Sequence, residues 1–124
     1  MKKFLAFFGV FFLTLTFGFV TLGTVDAAEE VVIGNILPLS GSAAPIGMVG
    51  RQIRELAIEE INGSGGIKAL GGAKIKMVYA DSRGDPKIAI SEAERLINLD
   101  KVNLITGAYQ SAVSFPSTEV AERY

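Results

Sequence analysis

The chain has 124 residues, a formal net charge of −1, no cysteine and no histidine. Without those two residue types it cannot build a disulfide, a thiol nucleophile, a Cys-ligated metal site, a zinc site or a His-based triad. Its twelve basic and thirteen acidic residues are interspersed along the chain, so the concentrated basic surface that nucleic acid requires is not expected.

The first 27 residues differ in kind from the rest. Lys2-Lys3 precede an uncharged apolar run from Phe4 to Val25, and small residues follow; seven of the eight phenylalanines lie at or before Phe19. That order is the n-region, h-region and cleavage site of a secretory signal. Val25 and Ala27 suit the −3 and −1 positions of a signal peptidase, which predicts cleavage after Ala27, a mature start at Ala28 and an exported, periplasmic protein. The apolar run also approaches spanning length, so a retained anchor is the alternative, and the flanking pattern favours cleavage. A lipid anchor would need a cysteine. Removing residues 1–27 takes away two lysines and one aspartate, leaving 97 residues with ten basic and twelve acidic side chains. That is one small domain, marginal in the core it can bury.

Residues 31–37 (VVIGNIL) form a nearly continuous apolar run before Pro38, as a buried parallel strand does. Residues 39–47 (LSGSAAPIG) read as a loop of small residues. From about Met48 the period becomes helical, with Val49, Ile53, Leu56, Ala57 and Ile61 as the apolar positions and charged residues on other faces. Asn62-Gly63 tolerates a left-handed cap and ends the helix. It also opens an Asn62-Gly63-Ser64 acceptor for N-glycosylation, for which helix ending is the simpler explanation. After a glycine-rich connector (63–73), KIKMVYA (74–80) reads as an outer strand, Asp81 to Pro86 as a turn, and Pro86 as a first helical residue. Ala89, Ala93, Leu96 and Ile97 give the second helix its buried stripe. VNLITG (102–107) is the third strand, and a third helix starts near Ser111 or Ala112. That helix runs to Tyr124 without a C-cap glycine, which suggests a piece of a longer chain.

The order β-α-β-α-β-α predicts an α/β fold, a parallel sheet with flanking helices and right-handed crossovers. With strand order 2-1-3, a ligand binds beyond the carboxyl ends of the first and third strands. The loops to watch are Leu39–Gly47 and Ala108–Ser114. Ser111 falls at the expected N-cap of the third helix, where free N–H groups and partial positive charge suit a carboxylate. On spacing alone plain capping is the favoured explanation of Ser111, and an ordinary turn is the favoured explanation of Ser40. Asp81 and Asp85 could form a carboxylate pair, but turn chemistry explains them better. No nucleophile has a base beside it and no metal-ligand cluster is present, so binding is a better class than catalysis and neither metal nor cofactor is expected.

Taken together, VVIGNILPLSGSAAPIG, INGSGGIKALGGAKIKMVYADSRGDP and GAYQSAVSFP resemble, in order and spacing, the opening of the branched-chain amino acid (Leu/Ile/Val) binding proteins. These are periplasmic substrate-binding components of ABC transporters, with the type I binding-protein fold. The resemblance runs from Val31 to Tyr124 and implies two α/β lobes that close on ligand. Residues 28–124 would be the N-terminal part of lobe one. It implies that the loop after the third strand holds the ligand carboxylate through the Ser111 hydroxyl, with Gln110 and Ala112 on either side. It also implies that the loop carrying Ser40 lines the cleft. Ile46 stands where an aromatic side chain is frequent, and Tyr109-Gln110 departs from the leucine-specific pattern. The first changes the wall against the ligand's side chain, and the second resembles relatives that take other amino acids, amides or small carboxylates. The implied partners are such a ligand and the membrane permease of an ABC importer. The alternative is the ligand-sensing domain of a receptor or regulator.

Overall fold

The computed structural model describes residues 29–124; the expected signal segment and its cleavage site lie outside them. Three strands and three helices alternate. They are β1 (Val31–Leu37), α1 (Ala44–Gly63), β2 (Ile75–Asp81), α2 (Pro86–Asn98), β3 (Leu104–Gly107) and α3 (Ser111–Ala121), with a short 3₁₀ turn at Lys68–Leu70. The sheet order is β2-β1-β3 and every pairing is parallel. β1 pairs with β2 from Val31↔Ile75 to Leu37↔Asp81, and with β3 from Ile33↔Leu104 to Ile36↔Gly107. The expected α/β class is what the chain adopts, and the strand order meets the condition on which the ligand loops were placed.

The apolar side of the sheet faces α2 and α3. Ile36, Ala80, Ala89, Ala93, Leu96, Ala108, Val113 and Val120 are buried together there, with Val78, Ile90, Ile97, Val102 and Ile105 packed around them. Three alanines on the sheet and α2 let the helix lie close, and Leu96 fills the space beside Gly34. α2 begins where its sequence says it should. The Asp85 carboxylate accepts from the N–H groups of Lys87 (2.7 Å) and Ile88 (3.2 Å), and Pro86 takes the first helical position.

The opposite face carries α1, and here two expectations need correction. Val49, Ile53 and Leu56 form a helical stripe, yet they are 51%, 62% and 67% exposed, and Ala57 and Ile61 are exposed as well. The more covered residues of the helix are Ala44, Gly47, Gly50, Arg51, Arg54, Glu55, Ile58 and Asn62. Gly47 explains the rotation: a Cβ there would fall 1.9 Å from the Pro38 carbonyl oxygen, so the helix seats on the end of β1 by its glycine edge. Arg51 then lies over the Tyr79 ring at 4.7 Å, covering β2 with its guanidinium plane. The helix also starts at Ala44, earlier than Met48, because Pro45 is compatible with a first turn.

The second correction concerns the end of α1. The helix continues through Gly63, and the left-handed residues are Gly65 (φ 103°) and Gly66 (φ 81°). Asn62 instead reaches β2: its Nδ2 donates to the Ile75 carbonyl and its Oδ1 accepts from the Ile75 N–H, both at 2.8 Å. The side chain that would carry a glycan is engaged in holding the start of a strand.

Candidate functional site

Parallel strands bring their following loops to one edge, so the β1–α1, β2–α2 and β3–α3 loops share the carboxyl end of the sheet. β1 and β3 are adjacent, and their loops flank the point where strand order reverses. Just below that point Asn35, fully buried, donates through Nδ2 to the Thr106 carbonyl (3.2 Å) and to Thr106 Oγ1 (2.9 Å), tying the two strands together.

The β3–α3 loop is sharply turned. Gly107 (φ 112°) and Ala108 (φ 23°) both have positive φ, and the Ala108 N–H donates to the Ile36 carbonyl at 3.0 Å. Ser114, one turn into α3, donates its hydroxyl to the carbonyls of Ala108 and Gln110 and so braces the loop from within the helix. After this turn Tyr109 points outward, 63% exposed, and α3 begins.

Ser111 is not the cap. Gln110 occupies the N-cap with extended backbone and no side-chain capping bond, and Ser111 is the first helical residue. The Gln110 carbonyl accepts from the N–H groups of Val113 and Ser114, both at 2.9 Å. The N–H groups of Ser111 and Ala112 and the Ser111 hydroxyl have no partner among the described residues. Both residues are exposed. Such a helix start, uncapped and open, presents donors and the positive end of the helix dipole. The Gln110 side chain turns away from it and packs over Gly84, where its buried Oε1 finds no donor.

The β1–α1 loop is held differently. Ser40 is exposed, but its N–H and hydroxyl both face the Asp81 carboxylate. Ile46, 46% exposed, lies in the first turn of α1. That turn also lacks a side-chain cap. The carboxyl-edge loops thus gather Ser40, Ile46, Tyr109, Gln110, Ser111 and Ala112 at one end of the sheet. Among these, Ser111 and Ala112 offer free donors, Ile46 and Tyr109 offer exposed apolar surface, and Ser40 and Gln110 are turned toward the β2–α2 loop.

Asp81 has a larger part than turn chemistry suggests. Burial raises its pKa, but hydrogen bonds from the Ser40 hydroxyl and from the N–H groups of Arg83, Leu39 and Ser40 outweigh burial, so it is held below its ordinary 3.8. The reading of Asp81 and Asp85 as turn residues agrees with the geometry: one braces loops and the other caps α2. A concavity of about 150 Å³ opens elsewhere, between β3 and α3, lined by Ile36, Ile105, Thr106, Ser117 and Thr118 among others.

Residues 30–124 match the model of a periplasmic binding protein family. The chain is 35% identical over 101 residues to a Leu/Ile/Val-binding protein homolog of Brucella melitensis, an alignment covering 81% of this chain and 26% of that protein. Its fold superposes on the branched-chain amino acid transporter substrate-binding protein LivJ of Streptococcus pneumoniae, solved in complex with isoleucine. The TM-score is 0.71 at 28% identity, over 77% of this chain and 26% of that one. A solute-binding protein of an ABC transporter from R. palustris, solved in complex with benzoate, gives a TM-score of 0.67 at 26% identity, over 77% and 25% of the two chains. The chain therefore spans about a quarter of the length of the relatives it matches. Sheet order, loop placement and these likenesses agree: the chain belongs to the periplasmic binding protein family, and it is similar to Leu/Ile/Val-binding proteins and to solute-binding proteins of ABC transporters.

Proposed function

We propose that residues 28–124 are the opening part of lobe one of an exported solute receptor, which binds a small amino acid-like or carboxylate ligand between two lobes and delivers it to an ABC permease. On this reading residues 1–27 are a signal peptide cleaved after Ala27. The observation that carries the proposal is the open start of α3, where the Ser111 hydroxyl and the N–H groups of Ser111 and Ala112 have no partner among the described residues. A carboxylate accepts several such bonds at once, and each charge-assisted bond is stronger than a neutral one. The relatives solved with isoleucine and with benzoate were both solved with a ligand that carries a carboxylate.

Ile46 and Tyr109 supply apolar wall beside these donors, and they would meet the ligand's side chain or ring. Ligand that touches both lobes stabilises the closed arrangement by its differential affinity for it, which is the mechanism of capture. The test is a thermal-shift screen of the full-length protein against L-amino acids, their amides, and aliphatic and aromatic carboxylates. A concentration-dependent rise in melting temperature with a carboxylate-bearing compound supports the proposal. A response confined to compounds without a carboxylate refutes the assignment of the α3 start.

A further inference from the structure

Asp81 ends β2 at the carboxyl edge of the sheet. Its Oδ1 accepts from the backbone N–H groups of Leu39 (2.8 Å), Ser40 (3.2 Å) and Arg83 (2.9 Å). Two of those backbone donors belong to the β1–α1 loop, which therefore cannot move independently of β2. At the far end of the loop α1 starts without a side-chain cap, and the Ala44 N–H bonds its own turn, at the Gly41 carbonyl (3.1 Å).

The other flank of the same turn meets the β3–α3 loop. A Cβ on Gly84 would fall 2.9 Å from Gln110 Oε1, so Gln110 rests directly on Gly84 in the middle of that turn. Ser82, itself buried, locks the backbone of the turn: its N–H donates to the Leu37 carbonyl and its carbonyl accepts from Asp85. The β2–α2 turn is thus a platform under both loops of the proposed site, gripping one through a carboxylate and packing against the other. A carboxylate suits the grip, because an anionic oxygen can accept three N–H groups together more strongly than a neutral acceptor.

We infer that Asp81 is a positioning residue of the proposed ligand site, fixing the Leu39–Ser40 backbone so that the β1–α1 loop is set beside the α3 start before ligand arrives. The inference rests on the proposed function in taking these two loops as the site. It assigns Ser40 to Asp81 and leaves ligand contact to the groups beyond it. Prearranged loops bind more tightly because less order is imposed on binding.

The test compares Asp81→Ala, Asp81→Asn and Asp85→Ala in the full-length protein. Amide hydrogen exchange of the ligand-free forms is read at Leu39 and Ser40, alongside titrations with L-isoleucine and with benzoate. Asp81→Ala should speed exchange at both amides about tenfold or more. It should also weaken whichever probe the parent binds by about tenfold. Asp81→Asn keeps an acceptor oxygen and should recover part of both effects. Asp85→Ala removes a helix cap in the same turn and should leave exchange at residues 39 and 40 unchanged. Exchange at Leu39 and Ser40 within twofold of the parent in Asp81→Ala would overturn the inference, as would faster exchange with undiminished affinity. A parent that binds neither probe counts against the choice of ligand, while the exchange result still decides the role of Asp81.

Discussion

Gly107 lies against Ile36 so closely that a Cβ on it would fall 2.1 Å from the Ile36 carbonyl oxygen, and its φ is 112°. Both facts exclude a side chain, one by contact with rigid backbone and the other by backbone conformation. The turn that aims Tyr109, Gln110 and Ser111 depends on this glycine. Gly107→Ala should destabilise the full-length protein by at least about 2 kcal/mol in urea denaturation. An unchanged midpoint would mean that the loop is not built this way.

Leu96 is fully buried between α2 and the sheet, its δ carbons lying 3.0 and 3.3 Å from where a Gly34 Cβ would stand. Leu96→Ala leaves a cavity that the closely packed alanines around it cannot close. The expected cost is about 2–5 kcal/mol by the same measurement.

Asp85 caps α2 through the N–H groups of Lys87 and Ile88. It is exposed, so water partly replaces it when it is removed. Asp85→Ala should cost about 1 kcal/mol, and ligand affinity should not change. A loss of affinity would make the β2–α2 turn more directly involved in binding than the geometry indicates.

The Asp81 carboxyl has a folded-state pKa below its unfolded value of 3.8, despite burial, because four hydrogen-bond donors face it. A depressed carboxyl contributes stability that is complete above the unfolded value and is lost as pH falls through the folded one. The melting-temperature difference between the parent and Asp81→Asn should therefore be largest near about pH 6 and shrink below about pH 4. A difference that stays constant across that range would show that the charge of Asp81 adds nothing.

The alternation of strands and helices and the parallel sheet were legible in the sequence, whereas the order β2-β1-β3 entered only as a condition for placing the ligand loops. Continuous apolar runs, helical spacing and Asp85-Pro86 are local signals, and local signals survive folding. The rotation of α1 was not legible. Val49, Ile53 and Leu56 carry the helical period, yet the contact between Gly47 and Pro38 decides which side meets the sheet. Periodicity finds a stripe and cannot say what covers it. At the site, the start of α3 was found to within one residue. A serine at the first helical position and one at the cap look alike in sequence, although only the former has a free hydroxyl here. The grip of Asp81 on Leu39 and Ser40 joins residues about forty positions apart. Turn chemistry accounts for Asp81 locally, and nothing in the local sequence points across that distance.

Ser111→Ala, titrated by calorimetry beside the parent full-length protein, decides whether the start of α3 holds the ligand carboxylate. The ligand is the carboxylate compound that most raises the parent's melting temperature. Losing a hydroxyl that donates to a carboxylate should weaken binding roughly 10- to 150-fold, about 1.5–3 kcal/mol, with the melting temperature of the ligand-free protein unchanged. An unaltered dissociation constant would contradict the account and move the carboxylate away from the start of α3.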